Sequence, residues 1–163
     1  MTLADINSFD CERFIQALGW VFENSPWVAE RAFAYKPFRD IEALHHAMTA
    51  QVMQAKPEEQ LALLRAHPDL GTRARVSDAS QGEQAVAGLD RLTLGEFERL
   101  TELNARYRDK FGFPFLFAVK GSTKQHILRA LEERLHASHD DEYRVAIEQV
   151  SRIAKFRLED SLI

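Results

Sequence analysis

The sequence predicts an all-α fold, a single compact bundle of roughly seven to nine helices. Three observations support this prediction. Apolar residues recur mostly at intervals of three and four along the 163 residues, which is the spacing of one helix face. Nearly every such stretch begins with a capping residue or a proline, as helices do. With 45% hydrophobic residues, the chain can bury a core as one domain over residues 1–163.

Each of the first four predicted helices follows a start signal. Asp10 or Ser8 can cap the first, and Ser25-Pro26 places a cap and a first-turn proline before the second. Asp40 can cap the third, and Lys56-Pro57 opens the fourth. Their apolar positions are, in order, Phe14, Ile15 and Leu18, then Trp27, Val28, Ala29 and Phe33, then Ile41, Leu44, Ala47, Met48 and Val52, then Leu61, Leu63 and Leu64.

The second half of the chain is predicted to form the remaining helices. Ser80 can cap a short helix that ends before Gly88, where the chain can turn. Thr93 or a neighbour starts a longer helix, Ser122-Thr123 caps the next, and the last begins near Asp140. Their apolar positions include Phe97, Leu100, Leu103 and Tyr107, with Asn104 near the same stripe, then Ile127, Leu128, Leu131 and Leu135, then Val145, Ile147, Val150, Ile153, Ala154 and Phe156.

One apolar run, 111–119, does not fit the helical pattern. Periodicity alone would allow it as a strand, but a lone strand would have no partner in an all-helical chain. Gly112 and Pro114 also interrupt regular structure at its start. We therefore predict a buried, non-helical connection.

Composition and charge narrow the classes of function. The 21 Lys and Arg residues against 25 Asp and Glu give a net charge of −4, so a basic face for nucleic acid is not expected. Cys11 is the only cysteine, which is typical of a reducing compartment. No secretory signal is recognisable, and no stretch approaches the roughly 20 apolar residues of a membrane span. We therefore expect a cytoplasmic protein that binds neither nucleic acid nor membrane.

His67 is a candidate for proton transfer, in the segment His67-Pro68-Asp69-Leu70-Gly71. The fourth helix should end near it, because the ring of Pro68 disfavours a helical conformation in the residue before it. A histidine at a helix end is well placed to face a cleft and to move protons near neutral pH. For an isolated histidine, however, the more frequent case is a partly exposed ring bonded to a neighbouring carbonyl.

Polar residues near two helix ends are further candidates. Ser80 and Glu83 have the spacing of a capping box, and that structural role would explain both without any function. Gln84 lies outside the box, and its amide could act at the same helix end, where free N–H groups suit an anionic or carbonyl-bearing ligand. Arg157 either offsets the dipole of the last helix or offers a planar fork to a carboxylate or heterocycle.

Metal and cofactor motifs are not recognisable. His45 and His46 point about 100° apart on a helix, and His136 and His139 straddle a helix end with no acidic motif to complete a zinc site. The chain has no Gly-rich phosphate loop and no nucleophile elbow. We therefore expect no metal and no cofactor.

Several segments, in order, match one enzyme family. They are Leu63-Leu64-Arg65-Ala66-His67-Pro68-Asp69-Leu70-Gly71, Ser80-x-x-Glu83-Gln84, Lys110-Phe111-Gly112-Phe113-Pro114-Phe115 and Ile153-Ala154-Lys155-Phe156-Arg157-Leu158. An early segment, Phe22-Glu23-Asn24-Ser25-Pro26-Trp27, is similar as well. Together they resemble the OHCU decarboxylases, the enzymes of 2-oxo-4-hydroxy-4-carboxy-5-ureidoimidazoline, the last intermediate of urate oxidation.

The resemblance implies a cofactor-free, all-helical enzyme, usually a homodimer, that converts OHCU to (S)-allantoin and CO2. It implies an acid/base histidine at His67, a catalytic glutamate at Glu83 and a substrate-gripping arginine at Arg157. The positions implied to bind the substrate are Pro68, Ser80 and Gln84, with the main chain of Phe115, Leu116, Phe117, Ala118 and Val119 for its ring and ureido group.

Two other classes stay open. In a non-catalytic helical interaction module, Ser80 and Glu83 would only cap a helix, and the phenylalanine-rich run would be a docking surface. A metal-dependent hydrolase would use several of the six histidines. Unchanged decay of OHCU would indicate the first class, and activity lost on chelation the second.

Overall fold

A computed structural model describes residues 1–71 and 78–163. Over these ranges the secondary structure is helical without a β-strand, so the all-α prediction is confirmed. The described helices are α1 Leu3–Ser8, α2 Cys11–Leu18, α3 Trp27–Ala32, α4 Ile41–Gln54, α5 Pro57–Ala66, α6 Asp78–Val86, α7 Leu94–Phe111, α8 Lys124–Arg134 and α9 His139–Ser161, with a 3₁₀ turn at Phe33–Tyr35.

The chain divides into two compact units. The first unit comprises Met1–Ala66 with Ser151–Ile163, and the second comprises His67–Val150. Helix α9 contributes residues to both units. The expectation of one domain over residues 1–163 stays a prediction. In the described ranges, no helix combines the length and the apolar character that crossing a membrane requires.

Most helix starts lie where the capping residues predict them. Asp10 accepts a hydrogen bond from the amide of Arg13 at the start of α2, and Asp40 does the same for α4. Thr93 caps α7 and Thr123 caps α8. These caps work because a short polar side chain satisfies an amide that the first helical turn leaves without a partner.

Three helix starts differ from the prediction. Helix α1, which Thr2 caps, was not predicted, because a helix of six residues is too short to show a period. Pro26 is itself the N-cap residue of α3, without a side-chain cap, and the Ser25 hydroxyl donates instead to the Glu23 carbonyl. Ser80 does not cap α6, because that helix already begins at Asp78. The capping box of Ser80 and Glu83 was therefore wrong.

The apolar run after α7 is buried and non-helical, as predicted. Gly112 ends α7 at a φ of 79°, a left-handed conformation that glycine adopts without a steric penalty. In the second unit, the Tyr107 ring lies 4.5 Å from that of Phe111 and 5.4 Å from that of Phe115, between centroids. The run thus enters the core of the second unit, and its backbone is held there.

Candidate active site

His67 is the first residue of the second unit, and its next neighbours are held by α7. It follows α5 directly, and its side chain is buried, with 6% of its surface exposed. Two residues on, the Asp69 carboxylate accepts a hydrogen bond of 2.9 Å from Arg108. The Leu70 carbonyl accepts one of 2.9 Å from the Asn104 amide. The backbone after His67 is therefore fixed by side chains of one helix.

The candidate polar residues of α6 share one helix face. Ser80, Glu83 and Gln84 are spaced by three and four residues, so their side chains project from the same side of the helix. Ser80 and Gln84 are buried. The Gln84 Oε1 accepts a hydrogen bond of 2.8 Å from the Gly71 amide. This bond joins the helix that carries Glu83 to the segment that follows His67.

The main-chain segment 115–119 is held by residues of α8 and α9. The Arg134 guanidinium donates to the Leu116 carbonyl at 2.6 Å and lies 4.5 Å above the Phe115 ring. The Ala118 amide donates to Gln149 Oε1 at 2.9 Å. The Leu116 carbonyl and the Ala118 amide, both predicted to face the substrate, are thus bound within the protein.

The buried carboxylate of Glu142 binds Arg134, the residue that bonds this segment. Glu142 Oε1 accepts hydrogen bonds of 2.5 Å from the Tyr107 hydroxyl and from the Arg134 Nε. Burial, and next the bond to the Glu142 carboxylate, raise the pKa of Tyr107 far above its ordinary value. The phenol therefore stays protonated and serves as a donor. Arg134 can then hold the Leu116 carbonyl while its charge is balanced by Glu142.

Arg157 belongs to the first unit and is buried there. Its Nη2 donates to Glu23 Oε2 at 2.7 Å, and its Nη1 donates to the Trp20 carbonyl at 3.2 Å. Helix α9 continues beyond it to Ser161, so Arg157 is one turn from the helix end. The planar fork predicted to grip a carboxylate grips, in this structure, the carboxylate of the protein's own Glu23.

The candidate residues are thus distributed over both units. The second unit contains His67, Pro68, Ser80, Glu83, Gln84 and the segment 115–119, and the first contains Arg157. The assigned catalytic and binding roles stay predictions.

Five residues that hold the candidates were not predicted, namely Glu23, Asn104, Arg134, Glu142 and Gln149. Asn104 alone had a signal, since it is a polar residue in an apolar stripe of α7.

The described residues also contain a cleft that lies away from the candidate residues. A cleft of about 630 Å³ in the first unit is lined by α4 and by residues 35 and 37–39, and it contains none of the predicted site residues. Within residues 1–71 and 78–163, no three His, Cys, Asp or Glu side chains are grouped so that they could hold a metal ion.

Comparison with known proteins gives consistent matches. The family model for OHCU decarboxylase matches residues 7–159. The chain is 48% identical over 160 residues to the 2-oxo-4-hydroxy-4-carboxy-5-ureidoimidazoline decarboxylase of Halalkalicoccus jeotgali, covering 98% of this chain and 91% of that protein. It is 46% identical to the uric acid degradation bifunctional protein of a Bacillus species, covering 98% of this chain but 32% of that longer protein.

A solved structure supports the same likeness. The crystal structure of an (S)-allantoin synthase superposes with a TM-score of 0.79 at 34% identity. The match covers 99% of this chain and 54% of that one. The chain therefore matches one part of longer proteins as well as nearly the whole of a shorter one.

Proposed function

The chain belongs to the OHCU decarboxylase family, and on this premise we propose how it performs its reaction. It is a carboxy-lyase of urate degradation, which converts OHCU to (S)-allantoin and CO2. The residue roles are supported most directly by the bond between Gly71 and Gln84, because this bond ties the His67 segment to the helix of Glu83.

The substrate supplies its own electron sink. Its carboxylate is attached to a carbon that bears a hydroxyl group and lies next to an imine carbon. When the bond to CO2 breaks, the electron pair forms a carbon–carbon double bond, and the imine nitrogen takes up a proton. The hydroxyl then loses its proton as the carbonyl forms, and the former imine carbon gains one. The net change is loss of CO2 and uptake of one proton, without an oxidant or reductant.

We assign the transfer of these protons to His67. An imidazole can accept and return a proton near neutral pH, and a buried ring acts without competition from bulk water. Glu83 positions the substrate hydroxyl and sets the charge state of His67. The handedness of the product depends on which face of the planar intermediate His67 protonates.

The remaining polar groups hold the substrate. The Ser80 hydroxyl and the Gln84 amide bind its polar rim, beside Pro68. Since the Gln84 carbonyl oxygen already accepts from Gly71, its NH2 group is the part that we assign to the substrate. Main-chain groups of residues 115–119 orient the ring and the ureido group, apart from the Leu116 carbonyl and the Ala118 amide, which bond Arg134 and Gln149. We assign the substrate carboxylate or carbonyls to Arg157, whose guanidinium also bonds Glu23 and the Trp20 carbonyl.

We propose a homodimer that works in the cytoplasm. Sedimentation equilibrium of the purified protein tests the dimer, and a monomer at all concentrations would contradict it.

The non-catalytic interaction module is not supported, because the similar proteins carry decarboxylase names over nearly the whole chain.

The test is a coupled assay that generates OHCU from urate and records the circular dichroism of the allantoin formed. The wild-type protein should accelerate OHCU decay and give one enantiomer. His67→Asn and Glu83→Ala should remain folded and lose about 10²-fold or more in rate, the range of general acid–base catalysis. Arg157→Lys should lose activity as well, because Lys lacks the planar fork.

The control is the uncatalysed decay, which gives racemic allantoin and is subtracted. His45→Asn is a matched variant, since it replaces a half-buried histidine whose ring contacts the Ser151 carbonyl. It should keep full rate. Full activity of folded His67→Asn would overturn the role of His67.

A further inference from the structure

We propose that Asn104 is a positioning residue for His67. The inference deepens the proposed function and rests on it. Asn104 lies in the middle of α7 and is buried. Its amide Nδ2 donates to the Leu70 carbonyl at 2.9 Å. It thereby acts on catalysis through the backbone that carries the imidazole.

Three residues on one face of α7 contact three consecutive residues of the segment after His67. Arg108 contacts Asp69, Asn104 contacts Leu70, and the Leu100 side chain lies against Gly71. The three helix residues are spaced by four, so they form one row along the helix. A rigid helix thus holds three consecutive residues of the segment.

Within this row of α7 residues, the hydrogen bond made by Asn104 is the contact that an apolar side chain could not replace. The Arg108–Asp69 pair is partly exposed and therefore weak. Leu70, in contrast, is buried, and a buried carbonyl without a donor is costly. An apolar side chain at position 104 would fill the space but would leave the Leu70 carbonyl to seek another donor, which moves the backbone.

The side-chain oxygen of Asn104 indicates that this residue does not serve to stabilise the core. Its Oδ1 is buried, and no donor in the described ranges reaches it. An amide that leaves one of its polar atoms unsatisfied is a poor choice for the core of a helix bundle. Its benefit is the bond to Leu70, which fixes the chain three residues from the imidazole.

The test compares Asn104→Leu with the wild type in the OHCU assay. We expect kcat per folded molecule to fall about 10- to 100-fold with KM changed less than threefold, since small displacements of a catalytic group cost about this much. The product should also lose enantiomeric purity. The Gly71 amide should exchange its hydrogen faster, because the segment is no longer held at Leu70.

The matched control is Gln51→Leu, which also replaces a buried amide on a helix. Gln51 bonds the Ala47 carbonyl of its own helix α4 and should keep the kcat of the wild type. If Asn104→Leu fails to fold, Asn104→Ser must show the same loss of kcat. A folded variant with the kcat of Gln51→Leu would overturn the inference. An inactive wild type, or an active His67→Asn, would instead overturn the proposed function.

Discussion

At the scale of single residues, Glu142 of α9 joins two other helices of the second unit. Its carboxylate is 1% exposed and accepts from Tyr107 of α7 and Arg134 of α8. Arg134 in turn bonds the Leu116 carbonyl. One carboxylate thus balances the charge that holds the main chain next to the candidate site. Removal of Glu142 would leave the Arg134 side chain, which is only 15% exposed, without a compensating charge.

We expect Glu142→Ala to lower the free energy of unfolding by about 3–5 kcal/mol. Urea unfolding followed by circular dichroism measures this loss. Glu148→Ala is the control on the same helix, because Glu148 pairs with Arg144 at an exposed position, with side-chain exposures of 57% and 64%. It should change stability by less than about 0.5 kcal/mol. Equal losses of unfolding free energy in the two variants would contradict the larger contribution assigned to Glu142.

At the scale of elements, the contact between α7 and the segment after His67 limits what position 71 can be. Gly71 has a φ of 70°, a left-handed conformation that disfavours side chains. A Cβ atom there would lie 2.4 Å from Leu100 Cδ2 and 3.0 Å from Leu92 Cδ1. The glycine therefore meets two requirements, the turn and the close approach of the segment to α7.

The two requirements can be separated by comparing two glycines. Gly88 has a φ of 83°, and a Cβ atom there would meet nothing within 4 Å. Gly88→Ala should cost about 1–2 kcal/mol for the backbone alone. Gly71→Ala should cost about 1–3 kcal/mol more, because Leu100 must move, and it should also lower the decarboxylation rate. Thermal unfolding and the OHCU assay measure both effects, and similar values for the two variants would show that the close approach is unimportant.

At the scale of the whole molecule, charge pairs make stability depend on pH. The hydrogen bond from Lys124 holds the pKa of Glu96 below its ordinary value of 4.5, and the bond from Arg31 does the same for Glu59. A lowered pKa in the folded state means that the contribution is present above the ordinary value and is lost as pH falls through the folded-state value. Burial raises the pKa of Tyr107 and Tyr143, so their contribution is lost as pH rises past 10.0.

We therefore expect the urea midpoint to be greatest between about pH 5 and pH 9 and to fall on both sides. Measurement of midpoints across this range tests the signs. Glu96→Gln should reduce the loss on the acid side, because the amide does not titrate. The fall of its urea midpoint at alkaline pH should match that of the wild type. A midpoint that rises below about pH 4 would contradict the lowered carboxyl pKa values.

Much of the fold was predictable because helix formation is decided by near neighbours. Asp10, Asp40, Thr93 and Thr123 satisfy amides three residues away, and apolar spacing marks the buried faces. Ser80 shows the limit of this reasoning. Its spacing to Glu83 fits a cap, but the helix begins two residues earlier, and a face of three polar side chains results instead.

Local sequence patterns were enough to predict the all-helical class, the end of α5 before His67, the buried connection after α7 and the family of the chain. The pairing of buried polar groups became known only from the packed structure. Arg157 bonds Glu23 across 134 residues of sequence, and Asn104 bonds Leu70 across 34. No local pattern encodes such partners, because a buried hydrogen bond depends on the distance between two side chains in space, which only the packing of whole helices sets.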